Sequence, residues 1–162
     1  IPDDVKFYTT DICDEHNCEF VFKKHKPKTV FHLAAESHVD NSIKDCQEFI
    51  RTNINGTVNL LNLALKYNVE KFIHISTDEV YGSIEQGSFT EKTNYNPRNP
   101  YSASKAAVEM LTKTWALESD YDSLFLAPVD PANLDAGYRP LTEKEIFDCI
   151  VTFVEDRPHW PY

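Results

Sequence analysis

Tyr101 and Lys105 stand four residues apart in Tyr-Ser-Ala-Ser-Lys, directly after Pro100. At that spacing two side chains share a helical face, so a phenol and an ammonium can address one ligand. A cation beside a phenol favours the phenolate and lowers its pKa toward values useful in acid–base chemistry. Taken alone, the pair is equally an ordinary helix surface. A second cluster, Ser76-Thr-Asp-Glu-Val-Tyr-Gly82, follows an apolar, β-rich run. In open α/β sheets the carboxyl ends of strands face the ligand crevice. Two adjacent carboxylates there can diverge, one kept protonated as an acid and the other ionised as a base. The alternative for this cluster alone is a solvated acidic loop.

A third segment, residues 32–43, reads His-Leu-Ala-Ala-Glu-Ser-His-Val-Asp-Asn-Ser-Ile. Its small residues let the chain come close to a ligand, and Ser37, His38 and Asp40 add polar groups at the same edge. His38-x-Asp40 has no apparent third ligand, so no metal site is expected. The fourth segment, Thr52-Asn-Ile-Asn-Gly-Thr57, lies inside a helical pattern, where Gly56 suggests close packing.

The elements that must position these groups follow from periodicity. Residues 5–9, 29–33, 71–75 and 123–127 are apolar or β-branched runs of strand length. Helical patterns cover 14–25, 45–67 and 102–117. In the second, Phe49, Ile50, Ile54, Val58, Leu61 and Leu65 fall near one face; in the third, Ala106, Ala107, Met110, Leu111 and Ala116 do. A last helix is expected over 142–154, with Thr142 as N-cap and Glu145 completing a capping box. Residues 82–100 read as one long loop, a type that is often functional inside a compact domain. Strands alternating with helices imply βαβ units, a parallel sheet and a doubly wound α/β architecture. The expected division is a partial nucleotide-binding domain over 1–120 and a divergent tail over 121–162.

Composition narrows the function. The 162 residues carry a net charge of −10, which argues against nucleic acid held through its phosphates. No apolar run approaches the roughly 18 residues of a membrane span. The opening Ile-Pro-Asp-Asp lacks the basic and apolar regions of a signal peptide. Four scattered cysteines without a C-x-x-C pair point to reduced thiols and a cytoplasmic setting.

The four segments occur in one order on one βαβ scaffold. From about residue 6 to 115 the chain resembles the NAD-dependent nucleotide-sugar 4,6-dehydratases of the extended short-chain dehydrogenase/reductase family. The resemblance rests on Asp11-Ile-Cys-Asp14, Leu33-Ala-Ala-Glu-Ser-His-Val-Asp40, Thr52-Asn-Ile-Asn-Gly-Thr57, Ser76-Thr-Asp-Glu-Val-Tyr-Gly82 and Asn99-Pro-Tyr-Ser-Ala-Ser-Lys-Ala-Ala107. Thr-Asp-Glu is the discriminating triplet, because epimerases of the family carry small residues where Asp78 and Glu79 stand. The resemblance implies transient oxidation of a nucleotide sugar at C4, loss of water across C5–C6, and hydride return at C6. It implies Tyr101 as acid–base group, Lys105 on the nicotinamide ribose, and Thr77 on the sugar O4. Glu79 is implied as the C5 base and Asp78 as the acid for the C6 hydroxyl. For the cofactor it implies Asp11 and Ile12 along the adenine. Leu33, Ala34, Ala35, Glu36, Ser37 and Thr52 are implied along the ribose and diphosphate, Ser37 and Thr77 also meeting substrate. Arg157, in a segment resembling a late one of the family, is implied on a substrate phosphate.

The chain departs from the family's pattern in its glycines. It has four, and none supplies the G-x-x-G-x-x-G turn that receives the pyrophosphate at a helix N-terminus. A partial Rossmann-like sheet without its first βαβ unit is therefore expected, in a fragment without activity of its own. The segment from about 118 to 141 is expected to be divergent. Helices 45–67 and 102–117 resemble those through which the family forms homodimers. The alternatives are another dehydratase or an epimerase of the same family, and a non-catalytic remnant.

Overall fold

The computed structural model describes residues 5–90, 92–119 and 122–126. The expected last helix at 142–154, Arg157 and nearly all of the tail from 121 lie outside the described residues. Among the described residues, three strands form one parallel sheet in the order β1 (Thr29–His32), β2 (Lys71–Ile75) and β3 (Asp122–Leu126). Thr29 pairs with Lys71 and His32 with His74, while Lys71 pairs with Asp122 and Ile75 with Leu126. The parallel α/β sheet is the expected architecture.

Helix α1 (Glu15–His25) begins where the Asp14 carboxylate accepts the Asn17 N–H at 3.0 Å. It stops at Lys26, whose φ of 44° takes the chain out of the helix just before Pro27. A short helix that the sequence pattern did not reveal, α2, covers Val39–Lys44. The helix expected over 45–67 is one continuous helical path of three parts. These are α3 (Gln47–Phe49), a π-helical turn (Ile50–Gly56) and α4 (Thr57–Lys66). Helix α5 spans Pro100–Ser119.

The core lies where Cys18 and Phe22 of α1, Val30 of β1, Leu60, Leu61, Leu63 and Ala64 of α4 and Phe72 of β2 meet. Two expected helix faces need correction. Ile50 and Leu65 are exposed and Ile54 and Val58 only partly covered, whereas Thr52, Asn53, Gly56 and Thr57 are buried. The π-helical turn rotates the polar residues inward, and hydrogen bonds satisfy Asn53 and Thr57 there, so hydropathy alone misplaces the face. On α5, Met110 is exposed, while the polar Ser104, Lys105, Glu109 and Thr112 are buried.

Residues 5–9 do not form the expected strand. Only Thr9 makes an isolated bridge, and Val5 and Phe7 are exposed. An apolar run becomes a strand only beside a partner that takes up its N–H and C=O groups. Here Tyr8 packs instead on Phe20 and His25 of α1. Gly56 has the expected packing role: a Cβ built on it would lie 2.5 Å from Ile12 Cδ1.

Candidate active site

Strand β2 ends at Ile75, and the chain turns at once through Thr77 into a single 3-10 turn, Asp78–Tyr81. Thr77 caps that turn, its Oγ1 accepting the Glu79 N–H at 3.3 Å. The turn closes at Gly82, where φ is +90° and a Cβ would lie 2.5 Å from the Asn96 carbonyl oxygen. The Asn96 N–H in turn donates to Val80 O at 2.9 Å. The long loop is thereby tied back to the acidic cluster, which leaves Asp78 exposed and Glu79 half-buried.

Tyr101 reaches the same place from the first turn of α5. Asn99 caps this helix: its Oδ1 accepts the Ser102 N–H at 2.7 Å, and Ser102 Oγ accepts the Asn99 N–H at 3.2 Å. Pro100 occupies the next position, where the absence of an N–H costs nothing and its φ suits the helix. The Thr77 side chain lies near enough to the Tyr101 phenol to act on its ionisation. Burial pushes the Tyr101 phenol above its usual pKa; Thr77 pulls it down, and the Glu79 and Asp78 carboxylates push it further up. The expected depression by Lys105 is absent here. The Lys105 ammonium instead donates to the Ile75 carbonyl at 2.5 Å and lies 3.4 Å from His74 Nε2, its acceptors on β2. Lys105 is 4% exposed, and burial pushes its pKa down to about 8 against the opposing pull of Glu109.

Three residues of this site are not among those read from the sequence. Asn99 Nδ2 donates to Glu79 Oε2 at 3.0 Å, so the helix cap also holds the acidic cluster. Buried Glu109 accepts hydrogen bonds from Ser76 Oγ and, at 2.7 Å, from Tyr95 Oη. His74 stands beneath Lys105. The Asn-Pro pair before a helix and the i, i+4 spacing of Lys105 and Glu109 are visible in the sequence. Their partners across the fold are not.

The other expected site residues line the carboxyl end of β1 and the neighbouring helix. Leu33 and Ser37 are exposed, and Ala34 and Ala35 half-buried. Glu36 is buried, its backbone N–H and C=O both held by the Asn53 side chain at 2.7 and 3.0 Å. Asn53 also donates to Ser104 at 2.8 Å, which joins this loop to α5. Thr52 is buried, and its hydroxyl has no partner among the described residues. Ile12 is a core side chain, so only its backbone is available to a ligand. Asp11 accepts the Cys13 N–H at 2.8 Å and pairs with Arg51. Burial raises its pKa, but the Cys13 N–H and the Arg51 guanidinium outweigh that and hold the carboxyl below its usual range.

The chain is similar to known proteins along most of its length. The family model described as GDP-mannose 4,6 dehydratase matches residues 1–150. A dTDP-glucose 4,6-dehydratase of Neisseria gonorrhoeae is 48% identical over 163 aligned positions, which cover 94% of this chain and 46% of the relative. One of Haemophilus influenzae is 48% identical over 67% of this chain and 36% of its own length. The chain thus spans less than half the length of the curated relatives it matches. Among solved structures, a Streptomyces venezuelae dTDP-glucose 4,6-dehydratase double mutant with NAD bound is 34% identical, with a TM-score of 0.74. It covers 78% of this chain and 38% of its own. A Thermus thermophilus UDP-glucose 4-epimerase in complex with NAD is 31% identical, with a TM-score of 0.75, over 78% of this chain and 42% of its own.

Proposed function

The chain belongs to the GDP-mannose 4,6 dehydratase family, and from that premise we propose that it carries the catalytic part of an NAD-dependent dTDP-glucose 4,6-dehydratase. One observation carries the reading. Thr77, Asp78 and Glu79 all lie near enough to the Tyr101 phenol to act on its ionisation, and an epimerase needs no second acid and base there. The product would be dTDP-4-keto-6-deoxyglucose.

The residues present fit part of NAD, and none supplies the glycine-rich turn that receives its pyrophosphate. The small Ala34 and Ala35 leave room at the end of β1, the orphaned Thr52 hydroxyl lies on the adjacent helix, and the ionised Asp11 is one-third exposed. Asp11 and the Ile12 backbone would hold the adenine; Leu33 to Ser37 and Thr52 would hold the ribose and diphosphate. When bound, NAD would supply a hydride acceptor at sugar C4 and the same hydride at C6. Thr77 would hydrogen-bond the sugar O4 and keep it aimed at Tyr101, whose phenolate oxygen takes the O4 proton. Lys105, its ammonium held by the Ile75 carbonyl and His74, would hold the nicotinamide ribose. With a ketone at C4 the C5 proton is acidic, and Glu79 would remove it. Asp78 would deliver a proton to the departing C6 hydroxyl. Ser37 would add a substrate contact, and Arg157 would meet the nucleotide phosphates.

The same reading includes a homodimer formed through the helices that contain α4 and α5, in the cytoplasm. Among the described residues no helix is long and apolar enough to cross a membrane. The test is to incubate the protein with NAD and dTDP-glucose in D2O. A 4-keto-6-deoxy product carrying deuterium at C5 is expected from a protein in which this chain is joined to a glycine-rich pyrophosphate turn, and none from the 162-residue chain alone. Formation of dTDP-galactose instead would favour the epimerase reading, and binding of dTDP-glucose without any conversion would favour a non-catalytic remnant.

A further inference from the structure

Two histidines are buried side by side in the sheet beneath Lys105. His32 on β1 is 1% exposed and His74 on β2 is 2% exposed, with ring centroids 5.0 Å apart. Their hydrogen bonds fix both tautomers. Thr57 commits its hydroxyl proton to the Asn53 carbonyl at 2.6 Å, so toward His32 Nε2, 2.7 Å away, it can only accept. His32 therefore carries its proton on Nε2. An ammonium has no lone pair, so His74 Nε2 must be the acceptor toward Lys105, and the proton of a neutral His74 sits on Nδ1. The two Nδ1 atoms are then a bare acceptor and an N–H donor, both buried without a partner among the described residues. An apolar pair would fill the same space without leaving such groups orphaned, so packing alone does not account for imidazoles here.

We propose that His74 is a positioning residue for Lys105: its neutral Nε2 and the Ile75 carbonyl together fix the ammonium at the carboxyl end of the sheet, with His32 backing the ring. The catalytic consequence rests on the dehydratase reading; the tautomer and the grip on the ammonium do not. Among the described residues, three charged or titratable groups act on Lys105 and the pair. Glu109 stabilises the ammonium from within α5, Lys105 disfavours protonation of both rings, and His32 disfavours protonation of His74. Helix α4 faces His32 with the uncharged Thr57.

The inference is tested on the 162-residue chain by NMR, following the Lys105 Cε shift against pH. The wild-type midpoint is expected near 8. In His74→Leu the acceptor that favours the charged form is gone, so the midpoint should fall by about one unit. His74→Gln keeps an acceptor oxygen and should return the midpoint to within about 0.3 units of wild type. A His74→Leu midpoint equal to wild type, or a His74→Gln midpoint that falls with it, overturns the proposal. The wild-type protein provides an independent measurement if either variant fails to fold. Its histidine 15N spectrum should show His74 neutral with the proton on Nδ1, and a proton on Nε2 or an imidazolium at pH 7 overturns the proposal. Failure of the dehydratase reading would appear separately, as absent turnover in a protein in which this chain is joined to a glycine-rich pyrophosphate turn, with these midpoints and tautomers intact.

Discussion

The Asn99 side chain holds helix α5 and Glu79 at once: Oδ1 accepts the Ser102 N–H at 2.7 Å and Nδ2 donates to Glu79 Oε2 at 3.0 Å. The start of the helix that carries Tyr101 and the carboxylate read as the C5 base are thus one mechanical unit. Asn99→Asp separates the two jobs. Aspartate caps a helix as well as asparagine does, but its second oxygen would face the Glu79 carboxylate. We expect a melting temperature within a few degrees of wild type, a destabilisation of about 1 kcal/mol or less. Exchange of the sugar C5 proton should slow by roughly tenfold or more, because a charge-assisted hydrogen bond of about 1.5–3 kcal/mol is lost. Exchange in Asn99→Asp equal to wild type, with a lower melting temperature in Asn99→Ala alone, would assign Asn99 to the cap alone.

Tyr101→Phe should keep the fold, since the phenol lies at the site and its ring packs edge-on against Phe49. Loss of an acid–base group lowers turnover by roughly 100- to 10,000-fold. Circular dichroism with a product assay decides it, and a variant within threefold of wild type would remove Tyr101 from the proposed proton transfer.

Acid should destabilise the fold through the buried histidines. Burial and then the nearby Lys105 hold the His32 pKa down to about 3, and the same causes hold His74 well below its usual value. Below the ordinary histidine pKa of about 6.5 the unfolded chain takes up protons that the folded one does not. Stability is therefore full above that value and is lost as pH falls from there toward 3. Urea unfolding at pH 7 and 5.5 should differ by roughly 1 kcal/mol per histidine. His32→Asn should remove about half of that difference.

Gly82→Ala tests the tie between the acidic cluster and the long loop. The positive φ and the 2.5 Å approach of the Asn96 carbonyl leave no room for a methyl group. A destabilisation of about 1–3 kcal/mol is expected, with increased proteolysis within 83–98. Unchanged stability and cleavage would show that this contact is dispensable.

Asp11→Asn tests the proposed adenine contact. Arg51 and the Cys13 N–H keep Asp11 ionised and partly exposed. Loss of the carboxylate should weaken NAD binding by roughly tenfold in calorimetry, the worth of one hydrogen bond to a charged group. Product formation at saturating NAD should be unaffected.

Much of the molecule is written in short-range pattern. Residues 29–32 and 71–75 are strands and pair in parallel, Asp14 starts α1, and three of the four chemistry-bearing segments are legible because each follows a strand or opens a helix, while residues 52–57 lie within one. Periodicity of two or 3.6 needs only neighbouring residues, so a single sequence reveals it. What depends on distant partners is not visible there. Residues 5–9 have strand composition but pack on α1, and Ile50 and Leu65 have core composition but lie exposed. Thr52, Asn53 and Thr57 turn inward because the fold brings Glu36, Ser104 and His32 to Asn53 and Thr57. Spacing alone could suggest that Lys105 serves Tyr101. Only the packed structure places its ammonium on Ile75 and His74, because a buried cation goes to the acceptors that tertiary folding leaves within reach.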